Sequence, residues 1–340
     1  MGGLETMTVV TAVFFSLIMM MTPHLLEQPM PLEDFLQSYQ TLEVPEIPPK
    51  ETVVKEPVGN EMGLVPVFLY HRIKESDNGY DISSEDFRKN LEKLYENDFV
   101  MVNFEAYLKG EIAVPEGKHP FVLTFDDGDI SQFRILEDGT IDPTSAVGVL
   151  YDYYQSHPDF GFEVAFFLNA GVPFGQKEFL EEKLEFTRTH GLILANHTYH
   201  HLAFDTLSRE EILEAVVKNK DYYEKEYGVE LRDILALPYG IYPRDFEVME
   251  TLGIPSLKVG WKPEVSVFSK EFDPLRINRV QNGEGNFQFE YWMDDLIGNP
   301  GKIFTSDGDP DRITLFEKDY DRLRTDFVQG KEIQIIKEVE

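Results

Sequence analysis

The stretch FVLTFDDGD, residues 121–129, carries an apolar run straight into two adjacent carboxylates, Asp126 and Asp127. Its first five residues lack polar alternation, the pattern of a strand buried on both faces. Neighbouring carboxylates repel, and one is pressed toward protonation unless a cation or a donor offsets the charge. In isolation an Asp-Asp-Gly run is an ordinary turn. At the end of a buried strand it sets both side chains on the rim of the sheet that the strand joins.

Similar apolar runs flank it. LVPVFLYH (64–71) reads as a buried strand upstream; EVAFFLN (163–169), LILAN (192–196) and ILALPY (234–239) follow, with SLKVGW (256–261) as a later apolar run. Helical patterns lie between them. Residues 83–98 set Phe87, Leu91, Leu94 and Tyr95 at helical spacing after a serine start, and 146–155 and 177–189 also suit helices. The segment 208–227 opens on a capping box, Ser208 with Glu211. Apolar strands alternating with helices predict a parallel sheet covered by helices. In barrels of that kind catalytic groups sit at the C-terminal strand ends. Asp126, Asp127, His197 and Tyr239 each fall just past a strand.

The second chemical signal is NHTYHH (196–201), which separates His197 and His201 by four residues. Two imidazoles at that spacing can meet one ion from a helical turn or a tight loop. With one carboxylate they make a three-ligand site that keeps positions open for water, the arrangement of catalytic metal sites. Asp127 is the natural third ligand. A divalent cation would offset the charge of Asp127 and leave Asp126 ionised as a base toward a metal-polarised water. The product hydroxide could attack a carbonyl carbon, with the metal and a backbone N–H holding the oxyanion.

Other residues carry weaker signals. His71 ends the first strand and is a rim residue with either an active-site role or a structural hydrogen bond. His200 is expected to point away from its neighbours, His119 to sit on the opposite face, and His157, His190 and His24 to lie in loops or linkers. LPYGIYP (237–243) reads as a Pro-Gly turn, or as a groove wall offering the Tyr239 ring as a platform and its N–H as an oxyanion donor. Trp261 offers a ring to an acyl methyl, to a sugar face, or to the core.

Charge and composition bound the partners. The chain of 340 residues has 62 acidic and 31 basic side chains, a formal net charge of −31. Phosphate backbones bind through Lys and Arg, so a nucleic-acid partner is excluded. There is no cysteine, which removes disulfides and thiolate metal sites. Met7–Met21 is apolar and uncharged, the length of a signal h-region and short for a spanning helix. It lacks a basic leader and a clear cleavage site, and reads as an export signal or an uncleaved anchor. The chain is therefore expected to be extracellular or anchored on the outer membrane face. The expected order is a signal or anchor (1–22), a Pro- and Glu-rich linker (23–62), a catalytic domain (63–300) and an acidic C-terminal extension (301–340), which adds a short strand or stays mobile.

From about residue 64 to 285 the sequence resembles the polysaccharide deacetylase family, carbohydrate esterases with a NodB-type domain. TFDDG (124–128) and HTYHH (197–201) match that family's paired motifs in order, and VFLYHRI and AFFLN add support. The resemblance implies a distorted (β/α)7 barrel and metal-dependent N- or O-deacetylation of a glycan, such as a polymer containing N-acetylglucosamine. It makes Asp126 the base, and it makes Asp127, His197 and His201 the ligands of zinc, or of cobalt, nickel or manganese. It makes Thr198 a brace of the ligand loop, and Pro238 and Tyr239 the groove lining, with the Tyr239 amide in the oxyanion hole.

Two departures stand out. The family's arginine that orients the base is replaced by Ala236, and no histidine follows residue 201 to act as the late general acid. Arg276 and Arg279, in PLRINRV (274–280), cannot readily give up a proton. The acid is then another group such as His71, or a water, or absent. Two readings compete with N-deacetylation. An O-acetyl esterase of xylan or a cell-wall glycan has a better leaving group and depends less on an acid. A non-catalytic glycan-binding relative would need no base.

Overall fold

The apolar runs become the strands of one parallel sheet. A computed structural model describes residues 59–75 and 80–337; Met7–Met21 and most of the Pro- and Glu-rich stretch lie outside the described residues. Along the chain, β1 (Val67–Tyr70), β2 (Arg72–Ile73), β3 (Asp81–Ile82), α1 (Ser84–Glu96), β4 (Phe99–Met101) and α2 (Phe104–Leu108) precede β5 (His119–Asp127). Then come α3 (Ala146–Ser156), β6 (Val164–Leu168), α4 (Leu180–Thr189), β7 (Ile193–Asn196), α5 (Arg209–Tyr227), β8 (Arg232–Ala236), α6 (Glu247–Leu252) and β9 (Ser256–Leu257). β10 (Val280–Gln281), α7 (Phe289–Gly298), β11 (Arg312–Phe316) and β12 (Glu332–Ile336) finish the order.

Seven strands lie side by side as β10-β1-β5-β6-β7-β8-β9, with β4 against the foot of β5. All these pairs are parallel. Parallel bridges from Leu257 to Ile277 and from Gly260 to Val280 join the two ends, so the sheet curls back on itself. This is the expected distorted (β/α)7 barrel.

The period-2 alternation of each strand sorts its residues into two cores. Phe68, Tyr70, Leu123, Phe125, Phe166, Leu168 and Leu194 pack under the helices with Phe87, Leu91 and Leu150. Their alternates Val67, Val122, Ala165, Phe167, Ile193, Ala195 and Ala236 form the second core with Leu257 and Ile277. The alanines leave room inside a narrow barrel. This parity continues upward from Val122 through Thr124 to Asp126, and so aims the first carboxylate inward.

The helices start and stop where their caps are. Ser83 Oγ accepts the Asp86 N–H at 2.9 Å, and α1 buries Phe87, Leu91 and Leu94. The Ser208–Glu211 capping box opens α5, which Gly228 ends in the left-handed region. Among the described residues no helix is long and apolar enough to cross a membrane.

Residues 301–337 pack into the same body. β11 and β12 pair in parallel, and buried Phe304, Ile313 and Leu315 join Val65 and Val67 in the second core. The Asn60 and Glu61 amides donate to the Thr305 and Thr314 carbonyls, each at 2.8 Å. The acidic C-terminal segment thus closes the foot of the barrel.

Candidate active site and metal centre

Asp126 is buried and held by a residue from the far side of the barrel closure. Arg279 Nη1 donates to its Oδ1 and Nη2 to its Oδ2, both at 2.7 Å, and both side chains are buried. Burial alone would push the Asp126 carboxyl up; the charge and paired hydrogen bonds of Arg279 outweigh it, and its pKa falls to about 2. Asp126 is therefore ionised and fixed in orientation by a two-pronged guanidinium. Sequence reasoning noted Arg279 only as an unsuitable acid. The available signal was the missing arginine at Ala236, which called for a guanidinium from elsewhere.

Asp127 breaks the strand parity. Its φ of 80° lies in the left-handed region and turns its partly exposed side chain toward the two imidazoles. Asp127 Oδ1 lies 3.5 Å from His197 Nε2 and 3.7 Å from His201 Nε2. One donor atom from each of the three residues falls within 4.8 Å of the others. Zinc bonds to nitrogen and carboxylate oxygen of about 2.1 Å set tetrahedral donors roughly 3.4 Å apart. The two Asp127–imidazole distances are close to that, and a small inward shift of the wider spacing would let these residues hold such an ion. The second ring nitrogen of His197 agrees: Nδ1 lies 2.9 Å from the Ala236 carbonyl, which can only accept. Nδ1 therefore carries the proton and leaves the Nε2 lone pair facing the cluster. Burial lowers the His197 pKa despite the nearby Asp126 and Asp127, which favours the neutral, ligating form.

A polar scaffold holds the His197–His201 loop. Asn196 Oδ1 accepts the Thr198 N–H at 2.8 Å, and Asn219 Nδ2 donates to Asn196 Oδ1 at 2.9 Å. Asn169 Nδ2 donates to the His197 carbonyl at 2.6 Å, and Thr198 Oγ1 accepts the His201 N–H at 3.2 Å. Thr198 and His201 have φ of 66° and 51°. A β-branched residue in that region is strained, and the strain persists only because the surroundings over-determine it. The loop is thus a tight turn and not a helical one.

A pocket of about 450 Å³ opens above the cluster, walled by His71, Tyr80, Leu237, Tyr239, Val259 and Gln281. The Tyr239 ring is exposed, lies 4.6 Å from the His201 ring, and sits on backbone with φ 59°. Gly240 follows at φ 65°, where a Cβ would stand 2.4 Å from the Val259 amide nitrogen, so this turn needs glycine. His71 brings a buried Nδ1 that has no hydrogen-bond partner, and burial lowers its pKa against the pull of Asp126 and Asp127. Pro238 is buried beneath the turn, and Trp261 is 71% exposed and outside the pocket wall. His200 points outward to Lys218, and His119 bonds the Phe304 carbonyl at the barrel's foot. His157 and His190 stack on Tyr153 and Phe186.

Residues 113–257 match the profile of the polysaccharide deacetylase family. The chain carries a polysaccharide deacetylase domain. Arg279 and His71 lie outside the matched stretch of that domain. The putative polysaccharide deacetylase YxkH of Bacillus subtilis is 20% identical over 226 residues, covering 65% of this chain and 72% of that protein. The deacetylase PplD of Streptococcus pyogenes, solved in complex with acetate, superposes with a TM-score of 0.50 at 16% identity. That match covers 67% of this chain and 96% of PplD. The putative polysaccharide deacetylase BA0330 of Bacillus anthracis gives 0.51 at 18% identity, covering 69% of each chain. At these identities the structural matches establish the shared barrel fold.

Proposed function

We propose that this deacetylase is a metal-dependent hydrolase that removes acetyl groups from an N-acetylated cell-wall or extracellular polysaccharide. The observation that carries the reading is an ionised, arginine-clamped carboxylate beside a three-ligand cluster under an open pocket. A divalent ion held by Asp127, His197 and His201, zinc by its donor set, would supply Lewis acidity and acidify water. Asp126 Oδ2, 3.8 Å from His197 Nε2, takes the proton of the attacking water. Arg279 keeps Asp126 ionised and correctly turned, at the expense of base strength. The Tyr239 N–H offers an oxyanion donor, and its ring walls the sugar site. His71, which lines the pocket, takes the place of the missing late histidine and delivers a ring N–H proton to the leaving nitrogen. Met7–Met21 serves as export signal or anchor, which puts the domain outside the cell.

The test is acetate release across N-acetylated and O-acetylated glycans, before and after chelation and zinc return. The expected result is release from N-acetylated chains that disappears on chelation, returns with zinc, and is absent in Asp126→Asn. Release confined to O-acetyl esters would favour the esterase. Glycan binding without any release would leave a binding protein.

A further inference from the structure

Phe287, Tyr291 and Trp292 cluster around the start of α7, and Trp261, just past β9, meets them through its backbone carbonyl, outside the catalytic pocket. Trp261, Phe287 and Tyr291 are 71%, 44% and 42% exposed. The Phe287 and Tyr291 rings lie 5.0 Å apart, and the Tyr291 and Trp292 rings 5.2 Å. Trp292 Nε1–H donates to the Trp261 carbonyl at 2.9 Å, which ties the two ends of the patch together. Packing does not account for this exposure, because α7 already buries Phe289, Met293 and Leu296 on its inner side.

Phe287 is unfavourable twice over. Its φ of 63° puts a bulky residue in the left-handed region, and that backbone holds the ring in water. Other exposed apolar residues, Leu202, Tyr239 and Ile241, stand on the loops that follow β7 and β8 at the same end of the sheet. The patch is also continuous with the catalytic mouth. Val259 and Gln281 line the pocket, and Trp261 and Phe287 follow them by two and six residues.

We propose that Trp261, Phe287, Tyr291 and Trp292 form a sugar-stacking subsite that holds pyranose rings of a polysaccharide beyond the unit being deacetylated. Flat exposed rings beside a pocket suit the apolar faces of pyranoses, which need area and little charge. A lipid surface fits less well. Glu284, Glu290 and Asp294 lie within the same segment, and the chain's net charge of −31 opposes anionic headgroups. The proposal rests on the deacetylase reading above and adds a consequence: substrates long enough to reach the patch bind better than short ones.

The chain's two tryptophans both lie in this patch, so tryptophan emission reports on it alone. The full chain, chelated to stop turnover, is titrated with the monomer and hexamer of N-acetylglucosamine. The metal-loaded enzyme is assayed in parallel for acetate release from the hexamer. The expected result is a saturable emission change with hexamer, weakened about tenfold in the Phe287→Ala, Tyr291→Ala pair. A matching rise in KM for hexamer, with little change in kcat, supports the same conclusion. Acetate release from hexamer with no emission change and an unaltered KM in the pair would overturn the subsite and leave the deacetylase reading standing. No release and no emission change would overturn both. Emission that responds only to anionic phospholipid vesicles would overturn the subsite in favour of a membrane contact.

Discussion

Two buried carboxylates, one at each end of the barrel, respond oppositely to the same burial. Asp126 at the top meets Arg279 in a two-pronged pair, and its pKa falls to about 2. Glu61 at the foot accepts the Thr314 amide at 3.1 Å, but burial and the neighbouring Asp307 push its pKa up to about 8. Arg312 lies 2.8 Å from Asp307, so the local cation is already engaged by the other acid. Burial sets the cost of a charge, and the partner decides whether the charge is kept. The end that keeps its charge is the one proposed to carry the chemistry; the other packs against the C-terminal segment.

The sharpest way to break this comparison is Asp126→Asn. Acetate release should drop by roughly 10²–10⁴-fold, the scale of a lost general base. Circular dichroism should show the protein folded, and denaturant titration should show it less stable, because the buried Arg279 loses its counter-charge. Arg279→Met comes next. It leaves Asp126 buried without its cation, and denaturant titration should show a loss of about 3–5 kcal/mol. The double variant Asp126→Asn, Arg279→Met should be less destabilised than Arg279→Met alone, because no unpaired charge remains. Equal losses in both would mean that the pair is not the source of the effect.

Linkage gives smaller effects of opposite sign at the two ends. The depressed pKa of Asp126 contributes stability that is present above the unfolded value near 3.8 and is lost as pH falls through about 2. The raised pKa of Glu61 contributes stability that is present below 4.5 and is lost as pH rises toward about 8. Each pH unit in the second window costs at most about 1.4 kcal/mol. Glu61→Gln should flatten that slope in urea titrations between pH 5 and 8, whereas Asp126→Asn should not. The smallest change expected is Tyr239→Gly. Relief of the left-handed backbone offsets the added freedom of the unfolded chain, so stability should rise by no more than about 1 kcal/mol in thermal melts. Loss of the ring should at the same time raise KM for the glycan.

Backbone strain is concentrated at the proposed active-site end but not confined to it. Asp127, His201 and Tyr239 line the pocket in the left-handed region, Thr198 does so in the buried loop beneath them and Phe287 beside them, while Asp98 does so at the foot. None of these was visible in the sequence, because no residue at those positions is glycine. The strands, the capped helices and the Asp127, His197 and His201 cluster were legible, since each follows from a period or spacing a few residues long. The helix expected from 177 starts at Leu180 after a short tight turn, and the apolar run 256–261 pairs as a strand only at Ser256–Leu257 before a single bridge at Gly260.

The sequence by itself determined the parallel α/β architecture, because continuous apolar runs and helical spacing are local properties of the chain; which parity of β5 faces inward was decided by the closed sheet. The sequence also determined the meeting of two imidazoles with Asp127, because the C-terminal ends of parallel strands share a rim, here β5 and β7 across β6. Only the tertiary structure decided that Arg279, 153 residues from Asp126 in the chain, replaces the arginine missing at Ala236. The same is true of the foot closed by residues 301–337 and of the aromatic patch beside the pocket. Those contacts arise when the sheet curls and its last strand meets its first, and the distance across that seam is written in no short stretch of residues.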